Sequence, residues 1–495
     1  MGLAKKVEIR FACVGPQKQK GSLASVFVEA TVRKVNILSK LNLLLFPGSK
    51  SYPKNGALKT FTLGLQHAFA MSCATILVPL LTGLDVGVAL CMAGVGTLVF
   101  HICTGGKMPT FLGSSFAFIT ALATVVGSEE FGADKTERIS AAMGGVVAAG
   151  LIYVIIALLI KIFGSRFIDR LFPPVVRGVG IAIIGLNLAS AAINNIQSNN
   201  GFEMFSAGYY WSWILALITC LTAIILSSYG KGMVKMSSIV IALGVGYILS
   251  MILTLTGIAP EGLMNLDKVG EHAWFEMPNF VFPSINLKAI GMIAPIAIVT
   301  CVEHVGDVYA NGAVVGRDFT KDPGLHRTML GDGLATVVAG LFGGPANTTY
   351  SENTAVLAAT GNYNPVTLRV AAVIAIVVSF LGKAIGVVET VPNCVLGGAC
   401  IVLYGMISSV GLRTLVENHV DFTKNRNLCI AAVMLVLAMG GAVIGGPDFS
   451  FSGIGLGIIV GILLNLLLPP IDEPDGKGLV AHSVPEDEIV VEKDK

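Results

Sequence analysis

The chain has 495 residues, of which 54% are hydrophobic and only 13% charged, with 33 lysines and arginines nearly balancing 31 acids. Soluble domains carry ~25% charge, so these few charges cannot coat the roughly three water-facing domains that the length suggests, and disorder, a coiled coil and a soluble enzyme are excluded. A mean hydropathy of +0.77 leaves an all-α polytopic membrane protein, in which 58 glycines, above the ~7% norm, suit helices packed closely in lipid.

Residues 1–50 carry Lys5, Lys6, Arg10, Lys18, Lys20, Arg33 and Lys34 without an apolar core and small-residue exit, which is not a secretory signal. Lys6 stands where myristoylation wants a hydroxyl. The segment reads as a cytoplasmic extension whose residues 36–46 lie on anionic lipid. Apolar runs suited to ~20-residue spans then follow at 58–81, 86–103, 109–127, 141–163, 173–192, 211–228 and 237–257. A second series occupies 286–308, 330–342, 350–360, 366–389, 394–411, 427–445 and 452–469. That makes fourteen spans, two of them short and separated by Gly343-Gly344-Pro345. The tail from Asp472 is charged and reads as disordered.

Loop charge supplies an independent check. With the N-terminus inside, fourteen basic residues fall in cytoplasmic loops, among them Lys107, Arg177, Arg317, Arg327 and Arg369. Only Lys135, Arg138, Lys268 and Lys288 fall opposite. This positive-inside bias places both termini in the cytoplasm. Nine scattered cysteines form no CxxC or Cys/His cluster, so they read as buried free thiols with no metal site. No basic stripe interleaved with aromatics suggests nucleic acid.

The halves share a feature at an offset of 236 residues. Pro109-Thr110-Phe111-Leu112-Gly113-Ser114-Ser115-Phe116 aligns with Pro345-Ala346-Asn347-Thr348-Thr349-Tyr350-Ser351-Glu352, and His67 falls on Glu303. Each octapeptide is Pro-led and rich in hydroxyls and β-formers, so short extended segments are expected to interrupt spans 3 and 10. Extended backbone at membrane depth survives only where protein buries it or a cavity receives it. Matched breaks in two seven-span halves, inverted because seven is odd, point to a transporter site at the repeat interface. Ser114, Ser115 and Asn353 mark the breaks, and the half-helices starting near Phe116 and Glu352 would aim N–H groups into the cavity.

The eighth span carries Glu303, His304 and Asp307. The two acids are i,i+4 and share a face, with His304 about 100° around. Ionisable groups at the bilayer centre cost at least ~2.5–3.5 kcal/mol each, so a role is expected. Glu352 at the second break joins them, against the plainer reading of a helix-start acid favoured by the dipole. Asp307 would relay protons or pair with His304; His304 and His67 are as readily packing residues as relays. Asp332 reads as a helix-start acid, and Lys383 and Glu389 as snorkelling interface residues. Two carboxylates facing one dry cavity suit an uncharged substrate with N–H donors and C=O acceptors, and one of them could load and release a proton each cycle. No HExxH or GxSxG supports an intramembrane hydrolase. A channel remains the rival of another class, distinguished by downhill flux with no response to a pH gradient.

Several blocks resemble the nucleobase–ascorbate transporter family, most closely its bacterial uracil permeases. They are Gly64-Leu65-Gln66-His67, residues 109–119, Glu303-His304-Val305-Gly306, residues 322–327 (DPGLHR) and residues 347–353 (NTTYSEN), within a likeness running from about Lys54 to Leu468. The resemblance implies fourteen spans in two inverted seven-span repeats. It divides them into a core domain (54–165 and 286–389) and a gate domain (166–257 and 390–469), between the extension 1–50 and the tail 470–495. It implies a plasma-membrane symporter importing uracil, with no cofactor, a possible gate-mediated homodimer, and proton or sodium coupling left open. Xanthine or urate is the alternative cargo. Glu303 matches the family's substrate-binding acid. Glu352 matches the first place of the signature [Q/E/P]-N-x-G-x4-T-[R/K/G], where Glu is similar to uracil carriers and Gln to purine carriers. Phe116, Tyr350 and Ser351 would complete the substrate site, with Glu303, Asp307 and His304 handling the proton. Ala355 stands where the signature has Gly, Ser351 where uracil permeases commonly have Gly, and Asp307 where some have His.

Overall fold

The computed structural model describes residues 46–53, 55–164, 170–198, 201–260, 262–446 and 450–469. The extension up to residue 45, Arg166, the side chain of Cys73 and the tail from residue 470 lie outside them.

Helix α1 (Ala57–Thr82) stops at Gly83, whose φ of 75 lies in the left-handed region. Two residues later Asp85 starts α2 (Val86–Cys103) by accepting the Val88 N–H at 2.7 Å. The chain then runs extended through β1 (Leu112–Ser114) into a single 3-10 turn, Phe116–Phe118, and the short α3 (Ile119–Gly127). Asp134 caps α4 (Lys135–Phe163) through the Glu137 N–H, and Glu137 returns a bond to the Ala133 N–H. Helices α5 (Pro174–Gln197), α6 (Ala207–Tyr229) and α7 (Ser238–Leu255) complete the first half.

The second half opens with α8 (Leu287–Ile293) and α9 (Ile296–Val315), joined near Pro295, then α10 (Leu325–Leu341). β2 (Asn347–Thr349) and the short α11 (Ser351–Thr360) mirror β1 and α3. After them come α12 (Pro365–Val378), α13 (Gly382–Glu389), α14 (Asn393–Glu417) and α15 (Asn425–Met439). A hairpin, β3 (Val443–Gly445) with β4 (Ser450–Ser452), leads into α16 (Gly453–Leu467).

Among the described residues, eight helices, counting α8 with α9 as one, are long and apolar enough to cross a membrane. The α12–α13 pair makes a ninth, bent by 84°. The run at 366–389 is therefore not a straight span. Ser379 turns its hydroxyl back to the Ile376 carbonyl at 2.7 Å, and the Phe380 carbonyl, freed by the bend, accepts the Glu276 N–H at 3.0 Å. The run at 427–445 likewise stops at Met439, and its end becomes β3.

Helix α10 packs on α2 and α4, α12 on α1 and α2, and α8 on α4. Helix α5 packs along α14 and α15, α6 along α7 and α14, and α15 along α16. Helix α9 touches both groups, meeting α4, α10 and α11 on one side and α5 and α16 on the other. Phe100, Phe118 and Tyr153 are fully buried between helices. Leu151, Ile155, Leu158 and Ile162, at helical spacing on α4, are exposed as a lipid-facing stripe should be.

Two side-chain placements correct the sequence reading. Arg369 is not a loop residue: it sits within α12, buried, with its guanidinium 4.2 Å from the centre of the Phe46 ring. Cys429 is exposed and Cys103 half-buried, whereas Cys91, Cys220, Cys301, Cys394 and Cys400 are buried thiols outside any disulfide. Val433 and Val436 are exposed on the same face of α15, so a thiol there need not be enclosed.

The loop between α7 and α8 is pinned to α13. His272 Nδ1 lies 2.9 Å from Glu276 and Nε2 3.4 Å from Glu389, while Lys383 donates to the Val269 carbonyl at 2.7 Å. The Glu276 hydrogen bond, helped by the Glu389 charge, holds His272 above the usual histidine range against a smaller loss from burial. A group raised on folding stabilises below its unfolded value of about 6.5 and ceases to do so as pH rises through the folded value. His272→Gln is therefore expected to lower the melting temperature of purified protein at acidic pH and leave it unchanged in alkali. An equal loss at both ends of the range would contradict this.

Candidate functional site

Strands β1 and β2 cross each other between the two breaks. They pair antiparallel, with Leu112 opposite Thr349, Gly113 opposite Thr348 and Ser114 opposite Asn347. The pairing continues outward: the Ser115 N–H donates to the Ala346 carbonyl at 2.8 Å and the Tyr350 N–H to the Phe111 carbonyl at 3.0 Å. Two three-residue strands thus satisfy one another where neither water nor a helix can.

A threonine on the helix before each strand completes the accounting. Thr97 of α2 accepts the Leu112 N–H at 2.9 Å and donates to the Leu112 carbonyl at 3.2 Å. Thr336 of α10 does the same for Asn347, at 3.2 and 3.0 Å. Asn311 of α9 donates to the Pro109 carbonyl at 2.7 Å and to the Thr354 hydroxyl at 3.2 Å, tying both breaks to α9 just beyond the eighth predicted span. None of these three side chains stood out in the sequence. A lone Thr or Asn in an apolar run carries no signal until the strand it serves is known.

The half-helices start without side-chain caps. Neither Ser115 before the Phe116 turn nor Tyr350 before α11 places its side chain over the helix end. The first N–H groups, at Phe116 and Ser351, thus remain available with the positive end of each dipole behind them. Phe116 is half-buried, and its ring stands edge-on to Tyr404 of α14 at 6.5 Å. Ser351 is exposed toward the open side of α11, in line with Ala355 and Ala358.

Helix α9 packs against α11, which brings the predicted acids together. The half-buried Glu303 lies within Coulombic range of Glu352, also half-buried, and of Asp332. Gly306, flanking Glu303 on the side away from Asp307, looks onto open space. Asp307 does not pair with His304: its Oδ2 accepts the Thr349 hydroxyl at 2.6 Å, linking it to β2. His304 turns toward α10 on the flank of α9, and its Nδ1 lies 2.9 Å from Oδ2 of Asp332. Asp332 is thus no helix-start acid. It stands within α10, wholly buried.

The remaining predicted residues brace the breaks. Tyr350 is buried and donates to the Ser114 carbonyl at 2.9 Å, with the Thr75 hydroxyl 3.3 Å away. Its hydroxyl is committed to the scaffold, so only its ring could face a ligand. Ser114 is buried, its hydroxyl 3.5 Å from the Thr75 carbonyl, and the buried Ser115 hydroxyl has no partner. Asn353 donates to the His67 carbonyl at 3.1 Å and lies 3.2 Å from His67 Nδ1, so both serve packing between α11 and α1. Two clefts, of about 610 and 490 Å³, lie elsewhere: one among residues of the α3–α4 and α7–α8 loops, the other around Lys107, Arg317 and Asp322. Neither reaches the carboxylates.

Comparison with known proteins agrees with this architecture. The sequence profile of the permease family matches residues 58–445. A probable uracil permease of Haemophilus influenzae is 42% identical over 412 residues, covering 83% of this chain and 95% of the relative. The uracil permease of Bacillus caldolyticus is 42% identical over 415 residues (82% and 91%), and that of Escherichia coli K12 is 34% identical over 414 (83% and 91%). Solved structures share the fold at low identity. The murine Solute Carrier 26 family member A9 anion transporter in its inward-facing state gives a TM-score of 0.60 at 15% identity, covering 93% of this chain and 76% of that one. The transmembrane domain of the cyanobacterial bicarbonate transporter BicA gives 0.57 at 16%, covering 84% and 99%. With a family match across most of its length and relatives above one-third identity, the chain belongs to the nucleobase–ascorbate transporter family of permeases, and is a transporter rather than an enzyme.

Proposed function

We propose that the protein is a secondary active transporter that imports uracil together with protons by alternating access. The observation that carries this reading is the meeting of Glu303 and Glu352 beside two uncapped half-helix starts. A pyrimidine-dione ring offers N–H donors and C=O acceptors on neighbouring edges. Glu303 accepts from a ring N–H, Glu352 engages the other edge, and the Phe116 and Ser351 N–H groups donate to the carbonyls. Phe116 supplies an apolar face for the ring. Neither α9 nor α11 contains a lysine or arginine, so an anionic substrate would find no counter-charge there. The uracil-permease names of several relatives favour the same cargo.

Two packed groups of helices would supply the moving parts. In this reading 54–165 and 286–389 form a core that holds substrate, and 166–257 and 390–469 form a gate, giving fourteen spans in two inverted repeats. Helix α9, which touches both groups, lies where core would slide on gate. Protonation of Glu303, relayed by Asp307 and His304, would discharge the site so that the loaded core can cross an apolar barrier. The protein would sit in the cell membrane with both termini in the cytoplasm.

The test is radiolabelled uracil uptake into proteoliposomes with proton and sodium gradients imposed separately. An inward proton gradient is expected to drive accumulation that excess xanthine does not suppress. Accumulation on sodium alone would replace the coupling ion, and flux indifferent to both gradients would replace the symporter with a uniporter.

A further inference from the structure

Behind the substrate face, α9 carries a second polar element. His304 and Asp332 are both completely buried, 2.9 Å apart, between α9 and α10. None of the four polar side-chain atoms, His304 Nδ1 and Nε2 and Asp332 Oδ1 and Oδ2, has a hydrogen-bond partner, so the 2.9 Å approach is a charge contact without hydrogen-bond alignment. The site is closely built: Gly331 and Gly333 flank Asp332, and a Cβ on either would overlap α2 at Phe100 and Cys103 or α4 at Tyr153 and Gly150. The His304 ring stands edge-on to Phe100 at 6.3 Å. Breaking such a pair costs far more than never having had it, because apolar side chains of similar volume would pack as well. Its presence at membrane depth asks for a use.

Charge contact supplies that use. Asp332 lies within Coulombic range of Glu303, the acid that meets substrate, and of Tyr153 on α4 and Cys301 on α9. His304 is similarly within range of Asp307. Glu303 therefore stands next to the His304–Asp332 pair along α9, and a proton arriving at or leaving Glu303 changes the field in which the pair sits. We infer that Asp332 is a positioning residue for coupling: it anchors His304 behind Glu303, so that loading and release of the proton at Glu303 stay linked to movement of substrate. The inference rests on the symporter reading above and adds Asp332 to it.

Coupling can be separated from binding in reconstituted full-length protein. Asp332→Asn is expected to exchange labelled for unlabelled uracil across the membrane at close to the wild-type rate. Its proton-driven accumulation should fall about tenfold, and its pH midpoint should move by about one unit. Asp332→Glu should recover part of the accumulation. His304→Phe with Asp332→Leu fills the site with apolar volume, and should melt near wild type yet share the accumulation defect. Wild-type accumulation with an unmoved pH profile in either Asp332→Asn or the double variant overturns the inference. So does parallel loss of exchange, accumulation and thermal stability, which marks a packing role only. If wild type carries xanthine instead of uracil, the substrate reading alone fails and the same comparison is made with xanthine.

Discussion

Glu303→Gln should abolish uptake, lowering it by at least ~100-fold, while the protein reaches the membrane at normal level. The substitution keeps the volume and one acceptor but removes the charge and the titratable proton. A hydrogen bond to a charged group contributes ~1.5–3 kcal/mol, and a site built to bond a specific N–H loses discrimination as well as affinity when that partner goes. The sign on stability is opposite. Glu303 and Glu352 are close enough to repel one another, and Asp332 adds to the effect, so a neutral side chain removes electrostatic strain from the folded state. Melting temperature should hold or rise as uptake disappears. Measured together, the two quantities separate this variant from a misfolded one, and normal uptake by Glu303→Gln would remove the central assignment.

The sequence made the breaks and the acids legible for a physical reason. Extended backbone inside lipid demands Pro, hydroxyls and β-formers in place of a helical run, and an acid in an apolar helix is too costly to be incidental. Both signals are local. What could not be seen was which atoms meet across the fold. Asp332 between two glycines looked like a helix start because nothing local shows that α10 sits among α2, α4 and α9. Pairing Asp307 with His304 was natural on one helix, yet they are three residues apart in sequence and diverge to Thr349 and Asp332. The 84° bend after α12 was equally hidden, since its compensating bond comes from Glu276, about a hundred residues earlier.

The crossing of β1 and β2 yields the second large effect, because it leaves no space to adjust. Gly113 faces the ring of Tyr350 so closely that a Cβ would fall inside the contact distance of Cε2, Cζ and the hydroxyl oxygen. Tyr350 cannot swing aside: it is buried, bonded to the Ser114 carbonyl, and beside Thr75. Gly113→Ala must therefore displace either the ring or the strand pair, and overpacking of this kind costs ~1–3 kcal/mol. The cost falls on the element that aims both half-helices, so a shift too small to unfold the protein still misplaces the Phe116 and Ser351 N–H groups. Gly113→Ala should lower the melting temperature and cut uptake by about an order of magnitude. Adding Tyr350→Leu should restore much of the lost stability, since the clash is shared by one pair, but not the uptake, because the brace from Tyr350 to Ser114 is gone. A double variant no more stable than Gly113→Ala alone would show that the strain lies in the strand backbone and not against the ring.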